Sequence, residues 1–413
     1  MTRPLDPAGL YRRNLPAPAE PWKGLPRFAF NSGHNDRDGI PSAALAEAAA
    51  AVILREGVDL AVYNLGRGPL GYPPLRQFLA GKLRAHRQIA AAPDDILITG
   101  GSGQGLELVN RLLLEPGDTV ILESFTYAGA LKKLKPFGVD IVPAPVEADG
   151  LDTEALEAIL AGLAAKGVRP KYLYTIPTIH NPTGSILPLQ RRERLVALAR
   201  RYGFLLFEDD CYADLVFAGE APPPSLYALA PDATIHIGTF SKSLGPALRV
   251  GYIVANEGVI RQIAALKTDG GTGAIDQMVV AEYFARNFDR HIATLTGRLR
   301  RKYEVMVEAV QREFGTSVEL WLPKGGIFLW LRLPDGLDVR DLVKPAAAAG
   351  VAFNPGPEWA VDGEAAKSWL RLCFALPTEA EIGEGVRALA RVSNEVFGIP
   401  SRSANVSYAG GGR

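Results

Sequence analysis

"ILITGGSGQGLELVNRLLLEPGDTVILES", from Ile96 to Ser124, holds the unit from which the fold can be read. An apolar run rich in isoleucine stops at Thr99, glycines follow, and Leu106, Val109 and Leu113 then recur on one face of a helix. Gly117 lies past that helix, and "TVILES" opens a second apolar run. The pattern is strand, turn, helix, strand. Runs of the same kind return as "DIVPAPV", "YLYTIP", "FLLFEDD", "IHIGTF" and "VGYIVA", alternating with helical stretches up to about Ala255. Such alternation predicts an α/β fold built on a mostly parallel, seven-stranded type of sheet flanked by helices. Several runs are almost wholly apolar, as strands buried on both faces should be. Sheets of this kind bind ligands at the carboxyl ends of their strands. Polar residues that stand where an apolar run ends are therefore the candidates for chemistry.

Working outward, residues 1–60 read as an N-terminal arm rich in proline, followed by a first helix, "IPSAALAEAAAAVILREG", with Ser42 as its N-cap and Gly57 as its stop. This segment is expected to join a smaller domain. Residues 61–290 form the large domain. Residues 291–413 form a small α+β domain, in which "SVELWLPKGGIFLWLRLP" turns as a hairpin at Lys324, Gly325 and Gly326, and "SWLRLCFAL" is a further strand. The long helical stretch after Asp269 links the two domains, and the closing "SYAGGGR" is expected to be disordered.

The chain has 413 residues, enough for two domains. Lysine plus arginine number 45, as do the acidic residues, so no net basic field draws nucleic acid or an anionic membrane. Two cysteines, Cys211 and Cys373, are too few for a metal cluster. No leader segment is read, and no apolar run approaches the ~20 residues that span a bilayer. The expectation is a soluble, cytoplasmic protein without a metal.

Four strand ends carry polar groups. At the first, glycines with Ser102 and Gln104 open a helix, whose free amides favour an anion such as phosphate. The pattern lacks the Gly-Lys-Ser/Thr of a P-loop, and many such turns serve only packing. At the second, Asn181, Pro182, Thr183 and Gly184 follow "YLYTIP"; an ordinary turn would look the same. At the third, Glu208, Asp209 and Asp210 end an apolar strand, where a buried acid needs a cation or hydrogen-bond donors. At the fourth, Thr239, Ser241, Lys242 and Arg249 follow "IHIG". A lysine at an interior strand end tends to lose its charge and can then attack a carbonyl, although a surface lysine lying along apolar atoms is the common alternative.

The set of motifs "NPTG", "EDDCY", "SKSLGPALRVG" and "LRLCFA", in that order, resembles the pyridoxal phosphate enzymes of fold type I. Within that aspartate aminotransferase superfamily, the likeness is to the class I/II group that includes kynurenine and 2-aminoadipate aminotransferases. It runs from about Phe28 to near the end of the chain. The resemblance implies that Lys242 binds the aldehyde of pyridoxal 5′-phosphate as a Schiff base. It implies that Ser102, Gly103, Gln104, Thr239, Ser241 and Arg249 gather around the phosphate, the arginine fork suiting that anion. Asp209 would pair with the pyridine nitrogen, Asn181 and Tyr212 with the phenolic oxygen, and Tyr127 would stack on the ring. Lys242, Asp209 and Tyr212 form the implied catalytic set, while Arg371, Asn181 and Gly33 would contact substrate. Asp210 is assigned a structural role, Cys211 and Cys373 are read as core side chains, and His180 receives no catalytic role.

What the resemblance implies is transfer of an amino group from an L-amino acid to a 2-oxo acid such as 2-oxoglutarate, in a homodimer. Tyr63 is considered for a reach to the phosphate across the dimer interface, and Arg37 for a second substrate carboxylate, with solvent exposure as its ordinary alternative. Besides a catalytically dead structural relative, disfavoured because Lys242 is present, two rivals are weighed. One is a lyase or cyclase on the same cofactor, which these motifs do not separate. The other is a cofactor-sensing regulator, ranked lower because the 27 residues before Phe28 fall short of the ~50-residue domain minimum.

Overall fold

The structure is a computed structural model that describes residues 7–11, 15 and 17–402. The "SYAGGGR" tail at 407–413 lies outside the described residues. Each of the seven apolar runs forms a strand: β1 (Ile96–Thr99), β2 (Thr119–Glu123), β3 (Asp140–Ala144), β4 (Tyr172–Thr175), β5 (Leu205–Asp209), β6 (Thr234–Thr239) and β7 (Gly251–Val254). They join in one sheet of order β1-β7-β6-β5-β4-β2-β3. Neighbours pair in parallel except β7, which is antiparallel to both β1 and β6.

The alternation within β1 shows why both faces are covered. Ile96 and Ile98 enter a core with Leu75, Leu79 and Phe284 on one side, while Leu97 enters a core with Leu106, Val109 and Ile253 on the other. Successive side chains point to opposite faces, so a run that is apolar at every position needs helices on each. The helices here are α2 (Pro73–Arg87) and α3 (Ser102–Leu113). Burial of each large aliphatic side chain contributes roughly 1.5–3 kcal/mol, which ties the helices to the sheet.

The first helix, α1 (Ser42–Glu56), departs from expectation twice. Ser42 is its first residue, not its cap; Pro41 takes the cap position and makes no side-chain bond there. Its buried Ala48 and Val52 lie in the core that holds Leu75 and Phe284, so the helix packs with the large sheet and not with the smaller domain. The chain just before it does reach the smaller domain: Phe28–Ala29 pair in parallel with Val351–Ala352.

The helical link is one continuous helix, α4 (Ala274–Phe314), which runs through the expected division at 290. Phe284 and Phe288 belong to the large-sheet core; Leu295, Leu299 and Met306 belong to the other. Beyond it, β8 (Glu319–Trp321), β9 (Phe328–Arg332), β10 (Asn354–Pro355) and β11 (Trp369–Cys373) form an antiparallel sheet of order β8-β9-β11-β10. The hairpin expected around Lys324–Gly326 is the β8–β9 connection. This sheet carries Arg371 on β11, and α5 (Glu379–Phe397) packs beside α4. No helix among the described residues is long and apolar enough to cross a membrane.

Candidate active site

The carboxyl ends of β1, β4, β5 and β6 open into one cavity of about 310 Å³. Because β7 runs antiparallel, its amino end lies at the same edge: Gly251 pairs with both Thr99 and Thr239. That reversal brings Arg249 to the site although it precedes a strand instead of following one. Arg249 has φ 53°, a left-handed conformation uncommon outside glycine. Its guanidinium turns back to donate to the carbonyls of Pro246 at 3.1 Å and Gly100 at 3.0 Å. A Cβ on Gly101, whose φ is +84°, would lie 2.5 Å from Arg249 Nη2. Glycine is therefore required where the arginine meets the start of α3. The N–H groups of Ser102 and Gly103 find no main-chain acceptor among the described residues, which leaves two donors at the start of α3.

On β6, Thr239 Oγ1 lies 2.9 Å from Ser241 Oγ and donates to Val250 O at 3.1 Å. Lys242 follows, and its Nζ donates to Gly33 O at 2.7 Å. A Cβ on Gly33 would stand 2.8 Å from that nitrogen. Burial holds the Lys242 amine below the ordinary lysine range, and repulsion from Arg371 and Arg249 acts in the same direction. Asp209, at the end of β5, accepts from Tyr174 Oη at 2.7 Å and from Cys211 N at 3.3 Å. Burial pushes its carboxyl up despite those bonds, so a cation beside it would relieve the cost. Burial also raises the phenols of Tyr127 and Tyr212, which stay protonated donors.

Arg371 reaches the cavity from the other sheet and is 3% exposed. It donates from Nη1 to Asn181 Oδ1 and from Nη2 to Asn354 Oδ1, each at 2.8 Å. An arginine has only donors, so it fixes the orientation of Asn181: Oδ1 faces the guanidinium and the Nδ2 end remains to donate elsewhere. Arg371 Nε is buried without a hydrogen-bond partner, and among the described residues no carboxylate pairs with this side chain. Its guanidinium carbon lies 3.6 Å from the centroid of the Trp359 ring. A buried cation held by two neutral amides and an aromatic face is a receptor for an anion.

Most residues expected at the site line this cavity: Gly33, Ser102, Tyr127, Asn181, Asp209, Tyr212, Thr239, Ser241, Lys242, Arg249 and Arg371. Gln104 does not. Its Oε1 accepts from Gly100 N at 2.7 Å and its Nε2 donates to Asp269 at 2.5 Å, so it buttresses the glycine turn. Gly103 does not line the cavity either. Tyr63 is 85% exposed, and Arg37 is exposed and lines other clefts. Asp210 is paired with Arg87, and His180 sits 3.0 Å from Glu123, as structural residues. Cys373 is buried, but Cys211, read as a core side chain, lines the cavity half-buried. Burial holds its thiol well above the ordinary range and so favours the neutral thiol.

Sequence reasoning missed Asn31, Ile176, Pro246 and Trp359 as lining residues. Trp359 matters most, since its ring also stands 6.0 Å from that of Tyr127. A tryptophan in the glycine–proline loop "NPGPEWAV" was the available signal.

The residues present fit pyridoxal phosphate. A basic end with free amides suits a phosphate, Asp209 suits a cationic ring nitrogen, and Lys242 suits an aldehyde. Among the described residues no group of three metal-ligating side chains occurs.

Comparison with known proteins agrees. The profile of the family "Aminotransferase class I and II" matches residues 28–389. The 2-aminoadipate transaminase of Thermus thermophilus is 36% identical over 370 residues, covering 88% of this chain and 89% of its own. The solved structure of LysN, the alpha-aminoadipate aminotransferase of Thermus thermophilus complexed with N-(5′-phosphopyridoxyl)-L-leucine, superposes with a TM-score of 0.81 at 34% identity, covering 89% of this chain and 92% of that one. The HTH-type transcriptional regulator TauR of Rhodobacter capsulatus is 30% identical, over 77% of this chain and 64% of its own. The chain belongs to the class I and II aminotransferases, enzymes of the aspartate aminotransferase-like fold that work with pyridoxal phosphate.

Proposed function

We propose that this aminotransferase moves the amino group of an L-amino acid to a 2-oxo acid, 2-oxoglutarate being the expected acceptor, with Lys242 as both cofactor-binding and proton-transferring residue. The observation that carries the reading is the pairing, in one cavity, of a half-buried lysine with depressed basicity and a buried arginine that has no carboxylate partner among the described residues.

When bound, pyridoxal phosphate supplies a carbonyl that exchanges amino groups and a ring that accepts electron density. Lys242 Nζ would hold its aldehyde, and Arg249 with the Ser102 amide and the hydroxyls of Thr239 and Ser241 would hold its phosphate. Asp209 would face the ring nitrogen, Tyr127 the ring face, and Tyr212 with the Nδ2 end of Asn181 the phenolic oxygen. Arg371 takes the substrate α-carboxylate in a bidentate fork, one N–H of each Nη being already committed to Asn181 and Asn354. That grip sets the Cα–H bond toward Lys242. Lys242 Nζ, neutral more readily than a free lysine, would accept the Cα proton once the substrate amine has freed it and would deliver that proton to the former aldehyde carbon, the shift that amino exchange requires. Trp359, packed on Arg371, keeps water from the guanidinium.

A homodimer is supported by exposed apolar side chains close together in sequence, with Leu54 and Val58 each 86% exposed and Tyr63 85%. In that assembly Tyr63 is the residue to reach a partner's phosphate site. Unpaired Cys211 and Cys373 support a reducing, cytoplasmic setting. The likeness to the 2-aminoadipate transaminase of Thermus thermophilus suggests 2-aminoadipate as the first donor to try.

The test is amino exchange. The protein loaded with pyridoxal phosphate is mixed with a panel of L-amino acids and 2-oxoglutarate, and glutamate is measured. Stoichiometric glutamate and the matching 2-oxo acid are expected. Ammonia without glutamate would replace this reading with a lyase.

A further inference from the structure

The turn that presents Lys242, residues 241–244, leaves two consecutive carbonyls without a main-chain donor. Neither Lys242 O nor Ser243 O accepts an N–H from the main chain among the described residues. Both are met by side chains from distant segments. Asn35 Nδ2 lies 3.3 Å from Lys242 O, and His291 Nε2 lies 2.6 Å from Ser243 O. On the far side of the imidazole, Tyr283 Oη lies 3.0 Å from His291 Nδ1. His291 is 8% exposed and Tyr283 6%, and both stand on α4.

Hydrogen-bond chemistry fixes the tautomer. A carbonyl oxygen only accepts, so Nε2 must carry the imidazole proton. A neutral ring then leaves Nδ1 as an acceptor, and the Tyr283 hydroxyl is placed to donate to it. Burial lowers the basicity of His291 and keeps the ring neutral. The Tyr283 hydroxyl thus selects the one neutral form that can hold Ser243.

We propose that Tyr283 and His291 are positioning residues for Lys242, a relay from α4 that clamps the Ser243 carbonyl and so fixes the turn from which the lysine amine projects. Neither residue lines the cavity. Their effect is on how often the amine stands where it can react, and it should appear in chemical steps at Lys242 and leave substrate grip unchanged.

This rests on the reading of Lys242 as the cofactor-binding lysine. Full-length wild type, His291→Gln, His291→Leu and Tyr283→Phe are freed of cofactor, and the rate at which each forms a borohydride-reducible link with added pyridoxal phosphate is measured. Glutamine can still donate near the Nε2 position; leucine cannot. His291→Leu is expected to slow the link and lower kcat about tenfold, the effect of one lost buried hydrogen bond, with KM for both substrates within about twofold. His291→Gln should recover most of the loss, and Tyr283→Phe should lose about threefold. If His291→Leu does not fold, the Tyr283→Phe and His291→Gln pair decides. Equal link rates in all folded variants, or a rise in KM at constant kcat, overturns the clamp. A wild-type chain that forms no reducible link at Lys242 would instead overturn the reading of the site itself.

Discussion

Asp209 and Asp210 are adjacent, both almost fully buried, and they face different worlds. Asp210 accepts from Arg87 Nε at 2.7 Å and Nη2 at 3.3 Å. Nearby, Lys82 pairs with Asp214 at 2.7 Å, and Glu208 meets His236 at 2.9 Å while capping the amides of Leu226 and Tyr227. Each of these charges meets a partner within the protein. On the cavity side, Asp209 has a hydroxyl and an amide, Arg371 has two neutral amides, and Lys242 has a carbonyl. Burial is alike in the two regions; neutralisation is not. A desolvated charge that is paired stiffens the scaffold, whereas one left facing a cavity is reserved for a ligand that brings the opposite charge.

Exchanging readouts between the two neighbours is the strongest way to break this comparison. Asp209→Asn should lower kcat about 10³-fold, because the charge that answers a cationic ring is removed, while unfolding stability stays close to wild type. Asp210→Asn should do the reverse. Leaving Arg87 buried without its anion costs about 3–5 kcal/mol in denaturant unfolding, with a far smaller change in kcat for the folded fraction. Equal stability losses in the two variants would erase the distinction. A smaller effect sharpens the claim for Arg371: Arg371→Gln should lower kcat/KM for both substrates about 100-fold, mainly through KM, with no loss of stability. A destabilised variant would show that the arginine is a strut.

The smallest effect concerns Asp36, which ties the arm carrying Gly33 to α4. It accepts from Arg298 at 2.5 Å and Lys302 at 2.9 Å. Burial opposes its charge, but these hydrogen bonds outweigh burial and hold the carboxyl below the usual range. A depressed acid stabilises the fold fully above the ordinary aspartate range and loses that contribution as pH falls through its lowered value. The difference in unfolding free energy between wild type and Asp36→Asn should be about 1–2 kcal/mol at neutral pH and shrink in acid. A difference that is flat with pH would remove the charge from the account.

Strands such as β1 and β5 were legible because a strand buried on both faces is mostly apolar, so "ILITG" or "FLLFEDD" announces itself, whereas the edge strand β3 is mostly exposed or half-buried. The strand ends were legible for the converse reason: Lys242 and Asp209 interrupt runs that otherwise tolerate no charge. What the sequence hid is set by contacts between distant segments. Nothing local says that β7 runs against its neighbours, which is what delivers Arg249. Gln104 looked like a ligand residue, yet Asp269, far along the chain, claims its amide. Ala48 and Val52 present an apolar face that fits either domain, and only packing chooses the large sheet. The Tyr283–His291 relay carries no local mark, since a helix bearing it reads as ordinary core.

The central claim is that Lys242 is the residue that takes up the cofactor. Full-length protein loaded with pyridoxal phosphate, reduced with borohydride, digested and mapped by mass spectrometry, tests it directly. The account predicts one phosphopyridoxyl adduct, on the peptide containing Lys242, and its loss together with amino exchange in Lys242→Ala. An adduct on another lysine in the wild type, or undiminished amino exchange by Lys242→Ala, would contradict it.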